Sequence, residues 1–190
     1  MKAIILSAGQ GSRLLPLTAD RPKCLLSLAG RPLIEWQVRH LAASGVGEVV
    51  VVVGFRAEAV EAALASLDGH GLQIRTIFNP FYKVAENVAS CWMARHEMDR
   101  DFMLLNGDVV FDPQVLARLE SHILRGDNVI CVNTATVAEE EVKYTVDADG
   151  HVDALSKQVQ NALGEAVGIN LVAGKDKARL IECLAACDEQ

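Results

Sequence analysis

Residues 7 to 23, SAGQGSRLLPLTADRPK, set two glycines, two arginines and a lysine around a single acid. Gly9 and Gly11 carry no side chains, so backbone N–H groups there can approach an anion closely. A helix starting beyond them would add its partial positive charge. Arg13 follows at once and can fork onto phosphate oxygens, while Lys23, held in an extended approach by Pro22, supplies a mobile point charge. The dinucleotide fingerprint needs a third glycine where this chain has Leu14, and the Gly-Lys-Ser/Thr of a Walker loop is absent. What remains is a cradle for a triphosphate with two cationic arms. A lone Gly-x-Gly is better explained as a solvated turn. The order of strand, glycines, Arg, Leu-x-Pro-Leu-Thr and Pro-Lys argues against that here.

A second chemical position is Asp108 in LLNGDVVF, an acid at the end of an apolar run. At the carboxyl end of a buried strand it would face the same crevice, where Mg²⁺ takes one or two carboxylates and completes its shell with water and substrate phosphates. An isolated Asp at that place also fits a strand-end cap. Asp112, just before Pro113, reads as a helix cap.

The elements that must position these groups follow from hydrophobic patterning. AIIL (3–6), VVVVV (49–53), IRTIF (74–78), FMLLN (102–106) and NVICVN (128–133) are short apolar runs, as expected of strands covered on both faces. Between them, RPLIEWQVRHLAASG has Pro32 at a first-turn position, apolar residues at 34, 38 and 41, and Gly45 as a stop. AEAVEAALASL aligns Val60, Leu64 and Leu67, and DPQVLARLESHILRG opens on an Asp-Pro cap and ends on glycine. The alternation predicts a doubly wound, Rossmann-like α/β sheet over residues 1–135. From 136 to 190 the pattern is β-rich: VKYTVDADGHVDALSK alternates in twos around Asp149-Gly150, a hairpin signal. EAVGINLVA reads as a further strand before the helical DKARLIECLAAC. The expectation is one α/β domain with a mixed sheet and a small β-hairpin flap.

Composition sets the bounds. At 190 residues and 51% hydrophobic, the chain can bury a sizeable single core. A formal charge of −7 disfavours a nucleic-acid polymer as partner. The first 31 residues invert that sign, with Lys2, Arg13, Arg21, Lys23 and Arg31 against Asp20 alone, which points to a small anionic ligand. Five scattered cysteines without a C-x-x-C pair argue against a zinc site or a disulfide framework. The apolar start is too short for a signal peptide and VVVVV too short to span a bilayer, so a soluble cytoplasmic protein without membrane insertion is expected.

LSAGQGSRLLPLTADRPKCLL resembles the signature of the nucleoside-triphosphate transferase family, L-x-A-G-x-G-x-R-L-x-P-L-T-x-x-x-P-K, at every fixed position. That family comprises sugar-phosphate and phosphocholine nucleotidyltransferases on a GT-A-like sheet. The resemblance implies nucleotide binding by Ala8, Gly9, Gln10, Gly11, Ser12 and Arg13, Lys23 as the main catalytic cation assisted by Arg13, and Asp108 as the Mg²⁺ ligand. FNPFYKVAENVASCWMA resembles the N-x-x-S-x-x-x-A segment of phosphocholine cytidylyltransferases and inositol-phosphate enzymes, which implies CTP. Asn87 and Ser90 there are candidates for nucleotide or acceptor contacts, or helix caps. The hairpin region resembles the family's acceptor side, where Lys143, Lys157 and Glu165 match the places of acceptor-binding residues; Lys157 also fits an exposed strand-end lysine.

A choline head would want an aromatic face, for which Tyr82, Trp92 and Tyr144 are available, with Trp92 at core spacing from Val88. Glu139 to Glu141 reads as a solvated loop. The family's second metal-binding Asp, from a later W-x-E-x-D-like strand, has no counterpart by Gln190. Either the sequence is a piece of a longer protein, or Asp147, Asp153 or Glu165 substitutes, or nucleotide binds without efficient turnover. A sheet edge left uncovered would favour a homo-oligomer. The expected reaction is transfer of CMP from CTP to a phosphorylated small alcohol such as phosphocholine. The alternatives are a sugar-1-phosphate or inositol-1-phosphate acceptor, and a non-catalytic nucleotide-binding module.

Overall fold

Val49 to Val53 have no exposed surface at all, because they form the middle of a sheet covered on both faces. The computed structural model describes residues 1–67, 71–84, 87–135 and 137–187. Four parallel strands make its centre: β1 (Lys2–Ser7), β4 (Glu48–Val53), β5 (Gln73–Phe78) and β6 (Phe102–Asn106), with β2 (Ser27–Leu28) and β3 (Arg31–Pro32) forming a separate two-stranded ribbon. β1 pairs with β4 on one side and β6 on the other, Leu6 lying opposite both Val52 and Asn106. The chain runs outward from β1 through β4 to β5, then returns to place β6 on the far side of β1. That reversal leaves a crevice at the carboxyl ends of β1 and β6, the place where open α/β sheets bind ligands.

Alternation decides what covers each face. Ala3, Ile5, Val49, Val51 and Val53 pack under α1 (Leu33–Ala43), α2 (Ala57–Ala65) and α4 (Pro113–Arg125) through Ile34, Val38, Val60, Leu64, Leu116 and Leu119. Ile4, Leu6, Val50, Val52 and Phe102 face α3 (Asn87–Met93) and α5 (Lys177–Ala186), which contribute Cys91 and the half-buried Leu180, Ile181 and Leu184. Each fully covered valine or isoleucine contributes roughly 1.5–3 kcal/mol relative to exposure. The expected stops are present: the Asp112 side chain accepts from the Gln114 N–H at 2.8 Å, and Gly126 closes α4 in the left-handed region. Pro32 sits just ahead of α1 rather than in its first turn.

The second part of the chain builds into the same sheet. β8 (Lys143–Val146) and β9 (Val152–Ser156) form the expected hairpin. β10 (Gly164–Val172) runs antiparallel between β6 and β7 (Val129–Asn133), so β7 does not continue the parallel sheet as the pattern over 1–135 suggests. β10 bends at Gly168, whose φ is +73°. Its register against β7 shifts across the bend, and before it Gly164 and Glu165 pair with β8. The result is an eight-stranded mixed α/β sheet. Among the described residues no helix is long and apolar enough to cross a membrane.

Candidate active site

The loop after β1 is shaped by Thr18, which is fully buried. Its hydroxyl donates to the Gly11 carbonyl at 2.9 Å, and its own carbonyl accepts from the Gln10 amide at 3.0 Å. Gln10 therefore braces the loop. Gly11 stands at φ +80°, and a Cβ there would lie 2.9 Å from the Lys23 Cβ, so glycine is what lets the lysine stem pass. Gly9 faces open space. Ala8 is buried, its carbonyl held by the Phe55 N–H at 2.9 Å, and Ser12 is exposed. The helix expected beyond the glycines is a single 3-10 turn, Ser12–Leu14. Leu15, pushed to an extended ψ of 141° ahead of Pro16, ends it, so the dipole of a full helix is not available to an anion here.

Lys23 opens a second 3-10 turn behind Pro22, whose ψ of 156° gives the extended approach. Its ammonium donates to the Asp108 Oδ2 at 2.5 Å across the crevice, each side chain about one-third exposed. Gly107, between β6 and Asp108, has no room for a side chain: a Cβ would overlap the Ser7 hydroxyl and lie 2.7 Å from the Leu6 carbonyl. Arg13, Lys23 and Asp108 thus line one cleft of about 320 Å³ together with Gly9, Gly11 and Asn87. Among the described residues no other carboxylate lines it. A single hard oxygen donor beside room for phosphates suits a divalent ion that keeps most of its shell as water and substrate. Cys24, behind Lys23, is no nucleophile: burial pushes its thiol up to about 11, only partly opposed by the neighbouring Ser7 hydroxyl.

Other expected residues divide. Asn87 reaches the cleft, its amide donating to the Asn106 Oδ1 at 3.3 Å. Ser90 does not: it faces inward on α3, is 4% exposed, and accepts from the buried Asn79 amide at 3.0 Å. Ala85 and Glu86, in the same sequence segment, lie outside the described residues. Lys143 donates to the Glu139 and Lys157 carbonyls, both at 3.0 Å, so its charge fastens the hairpin to the loop before it. Lys157 is exposed, and Glu165 accepts from the Asn133 amide at 3.2 Å. None of the three lines the cleft around Asp108.

Nor do the substitutes for a second acidic ligand. Asp147 is turned into its own hairpin, accepting the Asp149 and His151 N–H groups at 2.9 Å each, and Asp153 accepts the Thr145 hydroxyl. The aromatic candidates are likewise committed elsewhere. Tyr144 is buried, Trp92 carries the Arg95 guanidinium 4.3 Å from its ring centre, and Tyr82 packs over Gly54. Glu140, exposed as a solvated Glu139 to Glu141 loop requires, accepts at its Oε2 from Arg13 at 2.8 Å, a partner the sequence does not show.

A glycine loop facing a carboxylate at the switch point of a mixed α/β sheet defines a nucleotidyltransferase-type fold. A solved CTP:phosphocholine cytidylyltransferase from Streptococcus pneumoniae superposes with a TM-score of 0.79 over 97% of this chain and 75% of its own, at 22% identity. The chain belongs to the MobA-like NTP transferase domain family, which it matches over residues 3–180. It is 45% identical over 119 residues to a CMP-5'-(3-aminopropyl)phosphonate synthase from Streptomyces rubellomurinus, covering 63% of this chain and 19% of the relative. It is 33% identical over 187 residues to a mannose-1-phosphate guanyltransferase from Gibberella zeae, covering 92% and 48%. The chain therefore spans about half or less of the length of the synthase and the guanyltransferase.

Proposed function

We propose that the protein transfers a nucleoside monophosphate, CMP from CTP, to a small phosphate- or phosphonate-bearing acceptor with a cationic end, such as phosphocholine, releasing pyrophosphate. The observation that carries the reaction class is the convergence of Gly9, Gly11, Arg13, Lys23 and Asp108 on one cleft. The cytidylyl preference is supported by the 45% identity to a relative named for placing CMP on an aminopropylphosphonate.

In this reading an acceptor oxygen attacks the α-phosphorus in line, the new P–O bond forms, and the bond to the β-phosphate breaks to release pyrophosphate. The protein positions groups and holds charge rather than forming covalent bonds. The backbone around Gly9 and Gly11 receives the triphosphate, with Ala8, Gln10 and Ser12 framing it. Arg13 forks onto the outer phosphates. Lys23, released from Asp108, follows the charge developing on the α-phosphate and leaving group. Bound at Asp108, magnesium would supply charge neutralisation and orientation of the triphosphate. Asn87 reads the nucleoside, and the acceptor lies toward the hairpin, where Lys143, Lys157 and Glu165 stand.

A second reading, a sugar-1-phosphate acceptor with a purine nucleotide, is favoured by the longer match to the guanyltransferase. A pyrophosphate-release panel decides between them. CTP, GTP, UTP and dTTP are each paired with phosphocholine, 3-aminopropylphosphonate, mannose-1-phosphate and inositol-1-phosphate. Turnover confined to CTP with the two cationic acceptors is expected; turnover of GTP with mannose-1-phosphate would overturn it. CTP-dependent thermal stabilisation with no pyrophosphate from any pair would identify a binding module.

A further inference from the structure

Gln37 has no exposed surface, although its neighbours on the core side of α1 are Ile34, Val38 and Leu41. Its Nε2 donates to the Asn106 carbonyl at 2.7 Å, 69 positions away, and its Oε1 has no partner among the described residues. An unpaired buried acceptor opposes folding. An apolar side chain of the same length would remove it, but among the described residues would leave the Asn106 carbonyl with only the longer Val109 N–H bond at 3.4 Å, so the amide is there for what it does at Asn106.

What the amide does is reach the end of β6, two residues before Asp108. The Asn106 side chain is held from the cleft side by the Asn87 amide at 3.3 Å. It also fills the space that a Cβ on Gly168 would occupy, with its Cγ 2.8 Å from that point. Gly107 donates to the Leu6 carbonyl at 2.9 Å and rests against Ser7. The strand end is thus gripped by Asn87 and Gly168 around the side chain, by Leu6 on the neighbouring strand, and by Gln37 from α1.

We propose that Gln37 is a positioning residue: through the Asn106 carbonyl it sets where the Asp108 carboxylate stands relative to Lys23 and to a divalent cation. This rests on the nucleotidyl-transfer reading for its chemical purpose, though the grip on the loop does not. Residues that orient a metal ligand from behind typically change affinity or activity ten- to a hundredfold when removed.

The test is Gln37→Met, which keeps the length and removes both donor and orphan acceptor. A merely structural role predicts unchanged kinetics of the folded enzyme. The positioning role predicts a kcat about tenfold lower with a nucleotide KM within about twofold; the melting temperature does not discriminate, because the variant loses one hydrogen bond and one orphan acceptor together. Mn²⁺ titrated by electron paramagnetic resonance in the presence of CTP should bind about tenfold more weakly. Amide exchange at Asn106 to Val109 should be faster in the variant while α1 exchanges as before. Unchanged exchange at those amides, or unchanged Mn²⁺ affinity in a folded variant, overturns the proposal. A wild-type protein that neither binds Mn²⁺ nor releases pyrophosphate sinks the transferase reading instead, and the exchange measurement still decides the role of Gln37.

Discussion

The ammonium nitrogen of Lys23 lies 2.5 Å from the Asp108 carboxylate, a contact between the loop after β1 and the turn after β6. Each group neutralises the other. A phosphate and a cation arriving together would exchange this one ion pair for two, so little charge needs to be uncovered first. Under the proposed function Lys23→Ala is expected to lower kcat about a hundredfold, with a smaller rise in nucleotide KM, since a lysine that follows charge developing at the transition state acts mainly there. Steady-state pyrophosphate release measures both.

Asp108→Asn keeps shape and removes charge. Both partners are about one-third exposed, so the lost ion pair is worth about 1 kcal/mol or less and the melting temperature should move only a few degrees. Magnesium-dependent turnover should nevertheless fall at least a hundredfold. A variant that melts normally and still turns over at near wild-type rate would remove Asp108 from the metal site.

Much of this architecture is legible in the sequence because it is local. The five apolar runs show the strands, Asp112-Pro113 starts a helix, Asp149-Gly150 turns a hairpin, and the glycines before Arg13 mark the loop that leaves β1. The insertion of β10 between β6 and β7 is not legible, since it is a pairing of segments far apart in the chain with no pattern of its own. Glu140 meets Arg13 across 127 positions for the same reason. Ser90 misleads because its inward orientation depends on which face of α3 packs on β1. Gln37 leaves a readable trace: it is a polar residue inside the apolar stripe of 34, 38 and 41, though its partner is not readable.

Glu140 pairs with Arg13, the side chain that the proposed function assigns to the outer phosphates. The pair is exposed on both sides, 76% for Arg13 and 70% for Glu140, so its strength is about 1 kcal/mol at most. Glu140→Gln should tighten nucleotide binding by about two- to fivefold at low salt, and less at 0.5 M salt, where screening already weakens the pair. Calorimetric titration with CTP at both ionic strengths measures this. Weaker binding by the variant would show that Glu140 assists the nucleotide rather than competing with it.

Gly107→Ala puts a methyl group onto the Ser7 hydroxyl and 2.7 Å from the Leu6 carbonyl. Backbone cannot yield as a flexible side-chain end does, so the turn carrying Asp108 must shift. The expected outcome is a loss of roughly 1–3 kcal/mol in stability together with at least a tenfold loss of kcat. Pairing it with Ser7→Ala should recover part of the stability, because the hydroxyl is the closest obstacle.

At the opposite end of the sheet Lys2 is 2% exposed and donates to both the carbonyl and the carboxylate of Glu97 and approaches Asp99, all at 3.0 Å. Burial works against its charge, but the hydrogen bonds to Asp99 and Glu97 outweigh it and raise its pKa. Arg100, then Lys2, holds Asp99 well below the usual carboxylate range; Arg75, then Lys2, lowers Glu97 against the effect of burial. Lowered carboxylates stabilise the fold above their unfolded values near 4, and that contribution is lost as pH falls through the folded ones. The raised lysine contributes fully below about 10.4 and is lost as pH rises through its folded value. Lys2→Met should therefore cost roughly 1.5–3 kcal/mol at pH 7, a gap that begins to narrow as pH falls below about 4 toward the folded values of the two acids, and again above about 10.4. Urea unfolding of both proteins from pH 3 to 11 tests this. A gap that stays constant across the series would mean that Lys2 stabilises through its packed stem and not through its charge.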